Sequence, residues 1–255
     1  MLVFTRETSR AVDLAAVEEY LIPSIVLMEN ASRNVAIVAE GLIDGTTLVL
    51  CGPGNNGGDG FAAARHLACA VHDVVIALAF DAGRARGDAK INLEIAGRMG
   101  IRIEDVSTGS GLPGLIASCG ATLVVDALLG TGVDRAVTSP MLELIGALNT
   151  TRELGVVGVL AIDTPSGLDV DLGGALGDAV RADATVSFLG IKQGFLSIES
   201  QPYLGDIFIA DIGAPPELVE RLGRADERVQ RFIVSRRGDQ NDADEPGEAL
   251  GRNRG

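Results

Sequence analysis

Thr47-Leu48-Val49-Leu50-Cys51-Gly52-Pro53-Gly54-Asn55-Asn56-Gly57-Gly58-Asp59-Gly60 reads as a buried strand running into a glycine-rich turn. Five of the nine residues from Gly52 to Gly60 are glycine, and Phe61-Ala62-Ala63-Ala64-Arg65-His66-Leu67 then has the composition of a helix. A glycine-rich turn between strand and helix lets backbone N–H groups close on an anion at the helix N-terminus. Asn55, Asn56 and Asp59 add amide and carboxylate oxygens suited to a sugar, a metal ion or a reacting group. The turn is not a Walker A loop, because no GK[ST] follows. Gly52, Gly54 and Gly57 match GxGxxG by letter, but an Asn-Asn pair and a following Gly-Asp sit inside.

Strands and helices alternate through most of the chain. Apolar runs at 47–51, 74–80, 101–106, 122–128, 156–162, 185–189 and 207–212 read as strands, and 60–71, 88–99, 111–119 and 141–148 as helices. This rhythm predicts βα units in a parallel, doubly wound sheet with right-handed crossovers. Ligands in such sheets bind beyond the carboxyl ends of the strands. The loops after Cys51, Leu128 and Ile162 are all of that type and are expected to converge on one cleft. Ahead of the first clear strand, Thr8 or Ser9 caps a helix through Tyr20, and Pro23 suits the first turn of a second helix to about Leu42. These two helices are expected to form an added lobe or interface.

The 255 residues suit one domain with a tail: residues 1–223 read as the domain and 224–255, where seven arginines balance seven acidic residues, as a flexible end. Hydrophobic residues make up 47% but aromatics only 4%, so the core must be aliphatic, as in many parallel-sheet enzymes. A net charge of −14 argues against general nucleic-acid binding, which needs basic stripes. No run of about 18 apolar residues occurs, so a cytoplasmic protein that does not enter the membrane is expected. Cys51, Cys69 and Cys119 show no CxxC spacing and read as buried free thiols in a reducing compartment.

Two further stretches carry chemistry. In Val124-Val125-Asp126-Ala127-Leu128-Leu129-Gly130-Thr131-Gly132-Val133-Asp134-Arg135, Asp126 lies near the end of an apolar strand. A carboxylate there must be hydrogen-bonded, paired or bound to a cation, and a purely structural capping role is an equal alternative. Gly130-Thr131-Gly132 offers amides to a phosphate, with Arg135 as a charge partner. In Ala161-Ile162-Asp163-Thr164-Pro165-Ser166-Gly167, Asp163 again follows a strand, and Pro165 and Gly167 sharpen the turn. Ser166 lacks a GxSxG elbow, and His66 and His72 are poorly placed for a triad. Lys192, one of two lysines, would meet a phosphate, although an exposed loop lysine is the simpler reading.

GPGNNGGDGFAAARHL, VVDALLGTGVDR, AIDTPSGLDVDLG and ADATVSFLGIKQGF occur in the order typical of the NAD(P)H-hydrate epimerases, the YjeF N-terminal domain family, and Leu27-Met28-Glu29-Asn30-Ala31 is similar to its early signature. The resemblance runs from about Arg10 to Pro216. It implies a Rossmann-like three-layer α/β/α sandwich with a mostly parallel sheet and two extra N-terminal helices. The implied activity interconverts the S and R forms of hydrated NADH and NADPH with a bound potassium ion. Carried over by motif, Asn55, Asn56, Gly57, Gly58 and Asp59 contact the hydrated nucleotide. Gly130, Thr131, Gly132, Val133, Asp134, Arg135 and Ala136 line its site, with Asp163 at the substrate. Asn56, Asp126 and Ser166 supply potassium ligands. Ser32 replaces a frequent Gly, and Asp134 sets an extra negative charge beside Arg135. A homodimer through the N-terminal helices is the expected assembly. The rival readings are a non-catalytic nucleotide-binding scaffold and an NAD-dependent oxidoreductase using Asp81, which the Asn-Asn-Gly-Gly-Asp insert does not suit. Asp163 is the expected acid–base group.

Overall fold

The computed structural model describes residues 1–229. A two-residue strand, β1 (Val3–Phe4), precedes α1 (Arg6–Glu18) and α2 (Ser24–Glu40). The chain then runs β2 (Thr46–Cys51), α3 (Asn55–Cys69), β3 (Val74–Leu78), α4 (Gly87–Arg98), β4 (Arg102–Asp105), α5 (Leu112–Cys119), β5 (Ala121–Ala127), α6 (Met141–Glu153) and β6 (Gly158–Ile162). It ends with β7 (Ala184–Phe188), β8 (Ile191–Lys192), α7 (Gln201–Leu204), β9 (Asp206–Ala210) and α8 (Pro216–Leu222). All seven expected strands join one sheet in the order β4-β3-β2-β5-β6-β7-β9. Every pairing in it is parallel. The order reverses between β2 and β5, which makes their carboxyl ends the switch point where such sheets bind ligands.

The period-two alternation of the strands divides the core. Val49, Cys51, Val125 and Ala127 face one layer, with Val12 of α1, Val35 of α2, Phe61 of α3, Ala96 of α4 and Leu218 of α8. Leu48, Leu50 and Val124 face the other, with Leu112 and Ile116 of α5 and Leu144 and Leu148 of α6. Burying each such aliphatic side chain contributes about 2 kcal/mol, so an aliphatic core suffices without tryptophan. The two N-terminal helices belong to the first layer rather than to a separate lobe, and α2 packs along α3.

Local boundaries differ from expectation for physical reasons. Thr5, not Thr8 or Ser9, caps α1: its side chain accepts from the Thr8 backbone N–H, and the Thr8 hydroxyl accepts from Thr5 N at 2.9 Å. This reciprocal capping box is worth about 1 kcal/mol. Helix α3 starts at Asn55, so the glycine stretch forms its first turns instead of a loop. The helix can begin there only because its glycines permit close contact. A Cβ on Gly57 would lie 1.9 Å from the Gly52 carbonyl oxygen, and one on Gly60 2.6 Å from Ala127 Cβ.

The small strand β8 pairs with β1, Val3 opposite Ile191, an arrangement too short to read from the sequence. Arg224 bridges Val3 in both directions, and Val229 is buried beside Phe195. Residues 230–255, most of the expected tail, lie outside the described residues. Of the three thiols only Cys51 is fully buried; Cys69 is exposed, because it falls at the outer end of α3. Among the described residues no helix is long and apolar enough to cross a membrane.

Candidate active site

Strand β2 ends at Cys51, and the N-terminus of α3 opens where β2 and β5 part. The first N–H groups of a helix have no partner within it and carry a partial positive charge. Pro53, Gly54, Asn55 and Asn56 bring that end to a cleft of about 390 Å³. Asp59 lines the same cleft one turn on, as do Leu128 to Val133, Asp163, Phe188, and Arg10 and Asp13 of α1. A neighbouring cavity of about 660 Å³ is lined by Asp81, Arg84 and the run Gly132 to Met141, and shares Pro53, Leu129, Gly132 and Val133 with the cleft.

The expected site residues therefore separate into groups. Asn55, Asn56, Asp59, Gly130, Thr131, Gly132, Val133 and Asp163 meet in the cleft. Asp134, Arg135 and Ala136 line the adjoining cavity, with Gly132 and Val133 common to both. Gly57 and Gly58 are buried behind the cleft, where a Cβ on Gly58 would lie 2.7 Å from Met28 Cε. They shape the site by letting α3 approach. Asp126 and Ser166, both fully buried, form a network under the cleft.

That network is built from neutral donors. Ser166 donates through its hydroxyl to Asp126 Oδ1 at 2.6 Å and through its backbone N–H to Oδ2 at 2.8 Å. The Leu128 N–H adds a third bond at 3.2 Å. The Ser166 hydroxyl also accepts from Leu129 N at 2.8 Å, and the Asn56 amide donates to the Leu129 carbonyl at 3.1 Å, joining Asn56 to the same network. Burial raises the Asp126 carboxyl to about 6, and its hydrogen bonds to Ser166 and Leu128 hold it from rising further. Among the described residues no ion pair reaches it.

Asp163 sits differently. Its backbone is left-handed, φ 61°, a conformation that costs a non-glycine residue about 1 kcal/mol and is held only when the surroundings demand it. The demand is visible: Asp163 Oδ1 accepts from Phe188 N at 3.0 Å and pairs with Lys192 Nζ at 2.7 Å. Lys192 also donates to the Phe188 carbonyl at 2.8 Å and is 1% exposed, so the exposed-loop reading of this lysine is wrong. Strand β8 carries it inward, and the isolated position of the lysine gave no sign of that pairing.

Two more groups face the cleft from α1. Asp13 was missed in the sequence, although Arg6, Arg10 and Asp13 share a helical face by spacing. Its carboxyl is pushed up to about 6, first by desolvation against the cleft walls and then by Asp163, while Lys192 pulls it down. The residue keeps an exposed surface, which is the mouth of the cleft itself. Asp59 is driven well above the usual carboxylate range, first by burial and then by Asp163 and Asp13. Ser32, the replacement for glycine on α2, reaches its Oδ1 at 3.5 Å and opposes that rise. His66 lies against Glu29 at 3.0 Å, away from the cleft.

The chain matches the model of the YjeF-related protein N-terminus over residues 24–194. It is 36% identical over 219 residues to a protein of Rhodopirellula baltica named NAD(P)H-hydrate epimerase, covering 86% of this chain and 87% of that one. A protein of the same name from Pirellula staleyi is 39% identical, covering 86% of this chain and 96% of that one. A bifunctional NAD(P)H-hydrate repair enzyme of Salinibacter ruber is 37% identical, but the aligned part is only 42% of its length. The crystal structure of a yeast protein superposes with a TM-score of 0.70 at 20% identity, covering 87% of this chain and 93% of that one, which supports the fold. On the extent of these matches, the chain belongs to the YjeF-related N-terminal family.

Proposed function

We propose that this chain epimerises the S and R forms of hydrated NADH and NADPH. The observation that carries the reading is Asp163, kept in a strained conformation by Lys192 and Phe188 at the floor of the cleft. Two relatives that align over nearly their whole length bear the name of this activity.

The substrate is a dinucleotide, and the two joined chambers suit its two halves. The hydrated nicotinamide goes to the chamber with the carboxylates. The Gly132 to Ala136 run and Arg84 serve the remainder, and the open end of α3 with Arg10 serves the phosphates. The negative Asp134 beside Arg135 weakens a phosphate contact at that one point.

The hydrated ring bears a hydroxyl on the carbon bonded to its nitrogen, a hemiaminal. The nitrogen lone pair expels the hydroxyl once an acid protonates it, leaving a planar carbon. Water returning on the opposite face inverts the centre, and a base takes its proton. Asp163 is the acid–base group in this reading. Its link to Lys192 fixes its orientation, and the carboxylates around the cleft stabilise positive charge developing on the ring.

The residues under the cleft fit a potassium ion. Asp126 is a fully buried carboxylate without a cationic partner among the described residues, and the Ser166 hydroxyl, Asn56 amide and Leu129 carbonyl belong to its network. One carboxylate among neutral hard oxygens suits a singly charged ion better than a soft metal. Bound there, the ion would supply positive charge to the site, with Asn56, Asp126 and Ser166 as the residues that would hold it.

A homodimer belongs to the same reading. Leu14, Val17 and Leu21 on and after α1, with Ile37 on α2, leave apolar surface for a second copy, and the elution volume of the purified chain tests it. The function itself is tested by adding the protein to one purified epimer and following conversion by chromatography, with and without potassium. Conversion by the native chain, and its loss in Asp163→Asn with the nucleotide still bound, is expected. Unchanged turnover in that variant rejects the role of Asp163.

A further inference from the structure

We propose that Asp13 is the second acid–base group of this site, serving the face of the hydrated ring opposite to that served by Asp163. The inference rests on the epimerase reading and adds a residue and a division of labour to it.

Inversion at the hemiaminal carbon imposes a geometric demand. The hydroxyl leaves from one face and water arrives on the other, so proton transfer is needed on both. A single carboxyl on one face protonates a departing hydroxyl and then activates water on that same face. The outcome is oxygen exchange with retention. Two carboxyls entering from different directions give inversion.

The cleft supplies two from separate elements. Asp163 comes from the end of β6 and Asp13 from α1, and both line the chamber that Asn55, Asn56 and Asp59 also line. Helix α1 is fixed against the loop after β5 that lines the cleft. Arg6 Nε donates to the Thr131 carbonyl at 2.7 Å, and its Nη2 to the Val133 carbonyl at 2.6 Å. One turn on, Arg10 lies against Gly132, where a Cβ would be 3.5 Å from its Nη2. The position of Asp13, a further turn along that face, is set by these contacts.

The surroundings of the two carboxyls differ. Asp163 is tied to the Lys192 side chain at 2.7 Å. Among the described residues no such tie reaches Asp13. It interacts with Asp163, Lys192 and Asp59 of α3, lines the cleft with Arg10 of its own helix, and lines the adjoining recess with Asp88 of α4. Its carboxyl lies near 6, and a bound ring that displaces cleft water raises it further. A carboxyl raised by burial beside one locked to a lysine fits a division into acid and base. Asp59 is less suited to cycle: it is only 8% exposed, and burial holds its carboxyl well above the ordinary carboxylate range.

The step balances. The Asp13 acid gives its proton to the hydroxyl oxygen, the C–O bond breaks towards oxygen, and the nitrogen lone pair forms the C=N bond as water leaves. A second water adds to that carbon from the other face, the C=N pair returns to nitrogen, and the Asp163 carboxylate takes the proton. The other epimer reacts with the two roles exchanged.

The test uses the full chain, each purified hydrate epimer and 18O-labelled water, with the spontaneous rates subtracted. The native protein inverts both epimers and incorporates solvent oxygen. Asp13→Asn should lose inversion by at least ~100-fold. It should keep 18O incorporation with retention for the epimer whose hydroxyl faces Asp163. Asp163→Asn should show the same pattern for the other epimer. The fall in kcat/KM as pH rises through about 6 should also vanish in Asp13→Asn. The proposal is overturned by inversion within a few-fold of native, or by loss of both exchange and inversion in a variant that melts and binds like native. Retained exchange of the same epimer in both variants overturns it as well. If Asp13→Asn does not fold, Asp13→Ser is read by the same criteria. A native chain that converts neither epimer instead removes the epimerase reading itself.

Discussion

Strands β5 and β6 end alike in the sequence and unlike in the fold. Each is an apolar run closing near an aspartate, Asp126 in one and Asp163 in the other. Asp126 is fully buried and satisfied by a serine hydroxyl and two backbone N–H groups. Asp163 is partly open, holds a left-handed backbone and carries a buried lysine. The contrast teaches that position at a strand end delivers a carboxylate to the ligand edge but does not set its job. In the proposed reading, a closed carboxylate among neutral donors holds the ion, whereas an open one fixed by a lysine carries the proton transfer.

Lys192→Met attacks the second arrangement at its root and should have the largest effect. Removing one partner of a buried pair typically costs about 3–5 kcal/mol. Because Asp163 keeps 14% of its side chain open to the cleft, water can recover part of that, so about 3 kcal/mol is expected. Chemical denaturation measures it. Epimerisation should fall at least ~100-fold, because the carboxylate loses both its charge partner and its fixed direction. A variant that melts as native and turns over normally would show that the lysine is not what distinguishes the end of β6.

Asp126→Asn tests the first arrangement. An asparagine amide facing the Ser166 N–H places donor against donor, and a buried unsatisfied group costs about 1–3 kcal/mol. The sharper readout is the cation. A ligand that binds only the folded state raises its melting temperature. Potassium should do so for the native chain and not for the variant. An equal shift in both proteins would place the ion elsewhere.

How much of this contrast was legible follows from what a sequence encodes. The alternation of apolar runs and glycine-rich turns fixed seven parallel strands, because period and punctuation are local properties. Asp126 and Asp163 stood out because carboxylates at the ends of apolar strands need a partner, whereas Asn56 drew notice as a polar residue in the glycine turn and both it and Ser166 took their ion-binding roles from the family resemblance. The partner itself was not legible. Lys192 reaches Asp163 through β8, a two-residue strand whose pairing with β1 depends on the far end of the chain. Asp13 lay on a helix that reads as an amphipathic face, and core packing of Val12 and Ala16 together with the Arg6 bonds to Thr131 and Val133 turns that face towards the site. The helical start of α3 was hidden for the same reason. Glycines at 57 and 58 read locally as a loop, yet close packing against Gly52 and Met28 is what they permit, as Gly60 permits it against Ala127.

A smaller effect follows from pH. The folded-state carboxyl of Asp13 lies near 6 against 3.8 in a free chain, so the folded protein binds that proton more tightly than the unfolded one. Stability from this group is therefore full below about 4 and is lost as pH rises through about 6. Asp59 acts in the same direction. Asp226, lowered to about 2 by Arg228, acts in the opposite one, so the diagnostic is a difference between proteins. The melting temperature of Asp13→Asn minus that of the native chain should increase between pH 4 and pH 7. A difference that stays flat would mean that water in the cleft mouth fully solvates Asp13 in the free protein.

Ser32→Ala should have the smallest effect, and it extends the contrast to a third carboxyl. The Ser32 hydroxyl spends its hydrogen on the Met28 carbonyl at 2.6 Å, within its own helix, and reaches Asp59 Oδ1 only at 3.5 Å, the limit of a useful bond. Alanine also improves helix propensity by a few tenths of a kcal/mol, which offsets part of the loss. The net change in stability should stay below about 1 kcal/mol. Removing the hydroxyl takes away the contact that lowers the Asp59 carboxyl, so turnover should change less than ~2-fold if Asp59 does not ionise in the reaction. A much larger fall would mean that Asp59 has to ionise during the reaction. The acid–base work would then be shared by three carboxyls rather than by the pair formed from α1 and the end of β6.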